Sequence, residues 1–361
     1  MTARRDVLKA AVLAGALPAL AAPAIAQERR EWKMVTSWPK NFPGLGSSAE
    51  RIAARITAMS GGRLTVRVLG AGELVPPFEV FDAVAQGTAE MMHSAAYYWQ
   101  GKNKALSFFT VIPFGLVADE FDAWMAYGGG QELWDDIYAR FGLKGFVGGN
   151  TGTQAMGWFR REVKTVDDLK GLKFRTAGLG GEVMRRLGVA VVTLSGSELF
   201  PSLQSGAIDA AEWVGPWNDL ALGLYRLCKY YYLPGPNEPG SALECTVNKA
   251  KYDALPKDLQ DIVRVACDAE RAIGLAEYNA QNVRALDVLV SKHGVTAQPL
   301  PPAIATAMGN AAGQVLSELV ATDADAARVW QSFSAFRTLS IRNTNLGQGG
   351  FFAARDLPYK Y

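Results

Sequence analysis

Apolar and polar side chains alternate through "EWKMVTSW", residues 31–38, at the two-residue period of a strand. The pattern then changes. In "GLGSSAERIAARITAMSGG" the apolar residues recur at helical spacing until Gly61 and Gly62 stop the run, and "RLTVRVLG" returns to strand alternation. "PFEVFDAVAQGTAEMMHSAAYY" reads as helix, glycine turn and strand, so the first hundred residues follow β-α-β-α-β. That order predicts an open, mainly parallel sheet with helices on its faces. A second unit of the same kind starts near "KGFVGGNTGTQAMGWFRR". It continues through the strand "LKFR", the helix "GEVMRRLG", the strand "AVVTL", the helix "SELFPSLQSG" and the strand "AIDAAEWV". From "LPKDLQDIVRVACDAERAIG" onward helix signals dominate, with glycine sparse until Gly294. Such a segment is expected to brace two lobes or a partner subunit. The chain therefore reads as an α/β protein with two lobes, 27–148 and 149–240, followed by return crossings and a helical segment over 241–361.

The amino terminus stands apart from this pattern. "ARRDVLKAAVLAGALPALAAPAIAQ" joins a twin arginine (Arg4, Arg5) to an alanine/leucine run and a small-residue site ending at Ala26. This is the form of an export signal spanning residues 1–26, with a mature chain starting near Gln27 in the periplasm. Pro18 and Pro23 break the run, which is too short for a membrane anchor. Removing it takes away Arg4, Arg5, Lys9 and Asp6, which brings the formal charge from +2 to zero. A nucleic-acid partner would call for a basic stripe, and none is present.

The residues that carry chemistry are few. Cys228, Cys245 and Cys267 form no C-x-x-C pair, although an oxidising compartment would allow one bridge. His93 and His293 lie far apart without ligand-spaced neighbours, so a histidine metal site or a Ser/His/Asp triad has little to draw on. His93 fits a satisfied buried histidine, and His293 an exposed helix end. Ligands of open α/β sheets bind at the carboxyl ends of strands. That rule selects Arg175 at the end of "LKFR", Glu212 and Trp213 at the end of "IDAAEW", and Gln154 in "NTGTQAMGWF". Arg175 offers a planar fork of donors to an anionic end group; it fits equally an ion pair with a neighbouring acid. Glu212 sits among apolar neighbours in "GAIDAAEWVGPW", where a lone anion is costly. Backbone amides would satisfy it, and so would a cation shared with the amide oxygen of Gln154 and a backbone carbonyl, all hard oxygen donors suited to Na⁺ or Ca²⁺. Of the aromatic series Trp99, Phe114, Trp158, Trp213 and Trp217, core packing explains most.

The run from "DDLKGLKFRTAGLGG" to "EWVGPW", with "GELVP", "AAYYWQGK", "GGNTGTQAMGWFRRE" and "YYYLPG", resembles the extracytoplasmic solute receptors of TRAP transporters, and within them the branch that binds 2-oxo monocarboxylates. The resemblance covers most of the mature chain. It implies a two-lobed receptor that closes on a small organic acid and delivers it to TRAP membrane permease subunits. Arg175 would hold the ligand carboxylate, while Gln154, Glu212 and the main-chain oxygen of Trp213 would hold a cation, Na⁺ or alternatively Ca²⁺, that the ligand also chelates. Tyr98 and Asn150 would add hydrogen bonds to the ligand. Glu238, in "PGPNEPGS", falls where the family brings in a side chain from the hinge, but the local sequence departs from the aromatic-rich version of that branch. The tail pocket is left undefined. A swapped homodimer through the C-terminal helix is also implied.

Two other readings share these residues. An exported metal-dependent enzyme acting on 2-oxo acids would need a general base in the cleft, for which the chain offers weak material. A ligand-sensing module for a membrane receptor would use the same fold and site.

Overall fold

The computed structural model describes residues 29–360. The export signal read over residues 1–26 lies outside the described residues. Eleven strands, taken in chain order, form two sheets among the described residues. They are β1 (Arg30–Thr36), β2 (Leu64–Leu69), β3 (Met91–Ser94), β4 (Leu143–Asn150), β5 (Gly157–Phe159), β6 (Lys173–Arg175), β7 (Ala190–Val192), β8 (Ala210–Ala211), β9 (Tyr230–Leu233), β10 (Ala242–Asn248) and β11 (Thr296–Pro299). The first sheet runs β2-β1-β3-β10-β4 and the second β11-β9-β5-β8-β6-β7. The α/β architecture expected from the alternating pattern is present.

Each sheet is parallel except for one strand. β10 runs antiparallel to β3 and β4, and β5 runs antiparallel to β8 and β9. These two reversed strands are the ones the chain enters when it crosses directly from one sheet to the other: β4 leads into β5, and β9 leads into β10, whereas the later passage from β10 to β11 goes through the long helix. The crossing segments, 151–156 and 234–241, thus lie side by side. Gly235 N donates to Gln154 O, and Gln154 N to Glu238 O.

Two sequence expectations change in detail. The strand read over "AIDAAEWV" shrinks to Ala210–Ala211, because it is pressed between the left-handed Gly206 that ends one helix and Gly215–Pro216, which begins the next. Within the stretch read as helical lies β11, a short edge strand whose half-buried residues gave no alternating signal.

Helices then tie the sheets together. Lys257–His293 runs for 37 residues until Gly294 adopts the left-handed conformation, a length of about 55 Å. It packs on β4 and on the helix Leu45–Met59 of the first sheet, and on the helix Pro216–Leu222 of the second. Its Glu270, fully buried, accepts from Ser48 Oγ at 2.8 Å and pairs with Arg51 and Arg55 at 2.6 and 2.5 Å. The helix Pro302–Thr322 packs on Gly178–Arg186, and Ala324–Thr344 on the turn Lys104–Phe109 and the helix Gly130–Ala139. No helix among the described residues is long and apolar enough to cross a membrane.

At the junction of the two sheets the long helix places Tyr278, whose hydroxyl donates to Asn218 Oδ1 at 2.9 Å; Asn218 Nδ2 in turn donates to Pro43 O at 2.8 Å. Room for Tyr278 depends on Gly44, which has φ of 69° and whose added Cβ would stand 2.4 Å from the tyrosine oxygen. Gly44→Ala combines backbone strain with a clash and is expected to cost at least about 2 kcal/mol. Thermal unfolding checks this, with a clearly lowered midpoint as the expected outcome.

Candidate functional site

Parallel pairing of β6 with β8 sets Arg175 opposite Ala211, and Glu212 N donates to Arg175 O at 2.9 Å. Two residues 37 positions apart are thereby placed side by side at the carboxyl ends of their strands. Both are almost wholly buried. Arg175 Nη1 donates to Glu212 O at 2.7 Å and reaches Glu212 Oε2 at 3.4 Å, while Nε donates to Leu194 O at 3.0 Å. Its plane lies over the Trp213 ring, 4.9 Å from the centroid. Nη2 is buried without a partner. The arginine is thus held by backbone along one edge and offers a donor on the other.

The chain crossings bring in the remaining residues. One end of the Gln154 amide is 2.9 Å from Glu212 Oε1 and 3.1 Å from the Trp213 carbonyl oxygen; the other is 3.1 Å from Ser241 Oγ and 3.0 Å from Thr151 Oγ1. With the amide oxygen toward Glu212, three acceptors converge with no hydrogen between them. A cation suits that arrangement. With the amide nitrogen there, it donates to Glu212 Oε1 and the Trp213 carbonyl without an ion, and the amide oxygen draws on the Thr151 or Ser241 hydroxyl hydrogen. Glu238 accepts from Ser241 Oγ at the same junction. Asn150, the last residue of β4, accepts from Gly152 N through Oδ1, and its Nδ2 is buried without a partner. Tyr98 lies in the short turn Ala96–Trp99, its ring edge-on to Tyr97 at 4.7 Å and tilted on Phe78 at 4.8 Å.

Burial dominates the electrostatics. It pushes the Glu212 carboxyl well above its ordinary range, the nearby Glu238 adds to this, and Arg175 offsets it in part. Glu238 is pushed by burial to about 7 against the pull of the Ser241 hydroxyl and Arg175. Burial likewise raises Tyr98, with Arg175 opposing. Two acids, one arginine and several unpaired donors therefore share a site from which water is largely excluded.

A narrow space of about 10 Å³ remains between the two sheets at this point, lined by Trp38, Leu45, Tyr97, Tyr98, Gln154, Trp213 and Leu243 among others. The larger grooves are elsewhere. One of about 610 Å³, between Gly178–Arg186 and Pro302–Thr322, is bordered by the exposed pair Arg186–Glu318 and touches none of the residues above. The apolar wall differs from the one the aromatic series would give. Trp99 is turned away to Glu244, Trp158 stacks on Tyr231 in the second core, Trp217 packs on Tyr278, and Phe114 borders a different groove, so only Trp213 of that series lines the cavity. Trp38, Tyr97, Thr151 and Ser241 were not singled out from the sequence. Each adjoins a strand end or a crossing, a weak signal that many other residues share. The glycine-rich turn after Arg175 admits protein instead of ligand: a Cβ on Gly178 would meet Tyr97 at 3.3 Å.

The other residues with chemistry lie apart. Cys228, Cys245 and Cys267 are free and buried. His293 stacks on Tyr225 at the end of the long helix. His93 is fully buried: Trp38 Nε1 donates to its Nδ1 at 2.9 Å and its Nε2 faces Gly148 O at 3.3 Å, so it supports the cavity wall from behind.

Residues 34–323 match the family model described as bacterial extracellular solute-binding protein, family 7. The chain belongs to that family. A relative from Nostoc sp., named a monocarboxylate 2-oxoacid-binding periplasmic protein, is 42% identical over 342 residues, 92% of this chain and 93% of the relative. A TRAP transporter solute-binding protein from Bordetella bronchiseptica superposes with a TM-score of 0.89 at 33% identity, covering 91% of this chain and 97% of the other; it is a mixed-occupancy dimer with calcium and picolinate bound. A TRAP periplasmic solute-binding protein from Pseudoalteromonas atlantica, with sodium and pyruvate bound, gives 0.88 at 36% identity, covering 92% of this chain and 100% of the other. The expected fold and the resemblance to TRAP receptors both hold for this family 7 protein.

Burial holds the pKa of His93 at about 4, below its ordinary 6.5. As pH falls from 6.5 toward 4 the unfolded chain binds a proton that the folded chain refuses, so stability is lost on acidification through that window, by roughly 3 kcal/mol in all. His93→Gln keeps an acceptor for Trp38 and cannot titrate. Denaturant unfolding across this pH range should show a shallower fall for the variant than for the parent.

Proposed function

We propose that the chain is the periplasmic solute-binding subunit of a TRAP transporter, which captures a 2-oxo or 2-hydroxy monocarboxylate together with a cation and hands it to the membrane permease. The observation that carries this reading is the convergence of Gln154, Glu212 and the Trp213 carbonyl on one point, beside the unpaired Nη2 of Arg175. Unpaired donors call for an anion and clustered acceptors for a cation. An acid bearing an oxygen next to its carboxylate satisfies both.

In this reading Arg175 pairs with the ligand carboxylate, and Gln154, Glu212 and Trp213 O hold the cation. The cation supplies a positive centre that the ligand's two oxygens share. Asn150 Nδ2 donates to the ligand, Tyr98 borders it, and Glu238 with Ser241 closes the hinge side. Arg175, Glu212 and a bound monocarboxylate leave one negative charge, which Na⁺ balances; an ionised Glu238 adds a second, which suits Ca²⁺. The relatives holding sodium with pyruvate and calcium with picolinate support either ion. Trp38, Leu45, Tyr97 and Leu243 offer an apolar wall to the ligand's tail. No chemical step is assigned: Glu212 and Glu238 are engaged in binding, and His93 is tied to Trp38 outside the cavity. The lobes are taken as 27–148 and 149–240, with 241–361 as return crossings and braces, and the mature protein as exported by the twin-arginine signal.

The C-terminal segment extends this reading to a homodimer. Beyond Thr338, Leu339, Leu346, Phe351 and Leu357 are each more than 60% exposed, an apolar series that a second copy would cover. The dimeric Bordetella relative supports it.

Calorimetric titration with pyruvate, lactate and succinate, with and without added Na⁺ or Ca²⁺ after chelation, tests the central claim. Stoichiometric, cation-dependent binding of the monocarboxylates without turnover is expected. Silence toward all three would refute it. Arg175→Ala should weaken every acid at least about 100-fold, since the ligand charge would be buried unpaired. Glu212→Gln should remove the cation dependence. Light scattering of the mature protein should give twice the chain mass, and truncation after Thr338 should return it to monomer; a monomeric parent would remove the dimer.

A further inference from the structure

Among the fully buried acids that the proposed site leaves unused, Asp219 lies nearest to the converging oxygens through the backbone. Asp219, in the first turns of the helix Pro216–Leu222, has no exposure and no cationic partner in hydrogen-bond reach. Its Oδ2 accepts from Trp158 Nε1 and from Tyr231 Oη, both at 2.9 Å. Those two rings belong to paired residues of β5 and β9 and stack at 4.1 Å, so the carboxylate is anchored on the rigid middle of the second sheet. Its Oδ1 accepts from Val214 N at 3.2 Å.

The Val214 N–H belongs to the same planar peptide group as the Trp213 carbonyl, and in a trans peptide the two point in opposite directions. Fixing the N–H toward Asp219 therefore fixes the carbonyl oxygen toward Gln154 and Glu212. A negative acceptor on the N–H also draws the peptide dipole further, making the carbonyl oxygen a stronger donor to a cation. The contact extends one step more: Val214 O accepts from Ala155 N at 2.9 Å, so the same turn positions the residue beside Gln154. Two of the three oxygens that converge are thus set through one short turn.

We propose that Asp219 is a positioning residue for the cation, acting through the Trp213–Val214 peptide. The inference rests on the cation reading of the site. It assigns to Asp219 the part an outer carboxylate plays behind a metal ligand, where loss typically costs about 10- to 100-fold in metal affinity.

The test is titration of pyruvate affinity against Na⁺ and against Ca²⁺ in the parent, Asp219→Asn and Glu212→Gln. Asparagine keeps the shape and an acceptor while removing the charge. The expected result is a cation midpoint raised about tenfold or more in Asp219→Asn, with pyruvate affinity at saturating cation within about threefold of the parent. A residue that merely supports the fold would lower the unfolding temperature and leave the midpoint where it was, and that result overturns the proposal. If Asp219→Asn does not fold, Tyr231→Phe decides: losing one anchor should raise the midpoint about two- to threefold, and an unmoved midpoint overturns the proposal. A parent without any cation dependence would overturn the underlying reading together with this one, whereas a cation-dependent parent, a cation-independent Glu212→Gln and an unshifted Asp219→Asn would overturn this one alone.

Discussion

A buried arginine beside a buried glutamate is the constraint on which the rest of this molecule depends. Neither charge has water to fall back on, so each must be met by fixed groups. The backbone meets half of the demand. Glu212 N binds Arg175 O, and Arg175 Nη1 binds Glu212 O, so main chain and side chain exchange hydrogen bonds across neighbouring strand ends. What remains unmet, one guanidinium nitrogen and a group of crowded oxygens, is the part that the proposed reading assigns to solute. A more complete internal pairing would give a more comfortable protein and no receptor.

The topology supplies the other partners with little freedom to move. Because the chain crosses between sheets twice at one place, Gln154 and Glu238, 84 residues apart in sequence, arrive on segments that share backbone hydrogen bonds. The reversed strands β5 and β10 make this feasible, since a crossing chain that continues at once into its neighbour's sheet must run against the parallel strands. Away from the crossing, the long helix Lys257–His293 and the chain of contacts from Tyr278 through Asn218 to Pro43 bind the same junction from behind.

Much of this was legible in the residue pattern. Period-two and helical runs located most elements of both sheets, and Gly294 marked the end of the long helix. Arg175, Glu212 and Trp213 stood out because parallel strands present their last residues to a common edge. Other parts were not legible, for physical reasons. β11 is a half-buried edge strand with no alternation to read, and β8 is so short that only its neighbours' pairing defines it. Trp38, Tyr97 and Ser241 matter through where the fold takes them, and their types are equally at home in a core or a turn. Asp219 is the clearest case: an acid in the first turn of a helix looks like ordinary dipole compensation, and only the stacked rings of Trp158 and Tyr231 behind it show that it faces inward. The grounds for the cation set and the ligand's class came from resemblance to TRAP receptors more than from spacing.

The Gln154 amide has a further consequence for reversibility. Its two ends are nearly alike in shape, and both settings give Glu212 a complementary arrangement: nitrogen toward it when protein atoms alone must pair, oxygen toward it when the proposed cation is there. Half a turn about a single bond converts one into the other. A receptor that must surrender its cargo downstream thus need not pass through a state with a stranded carboxylate, and the backbone cradle can stay the same for the full and the empty molecule.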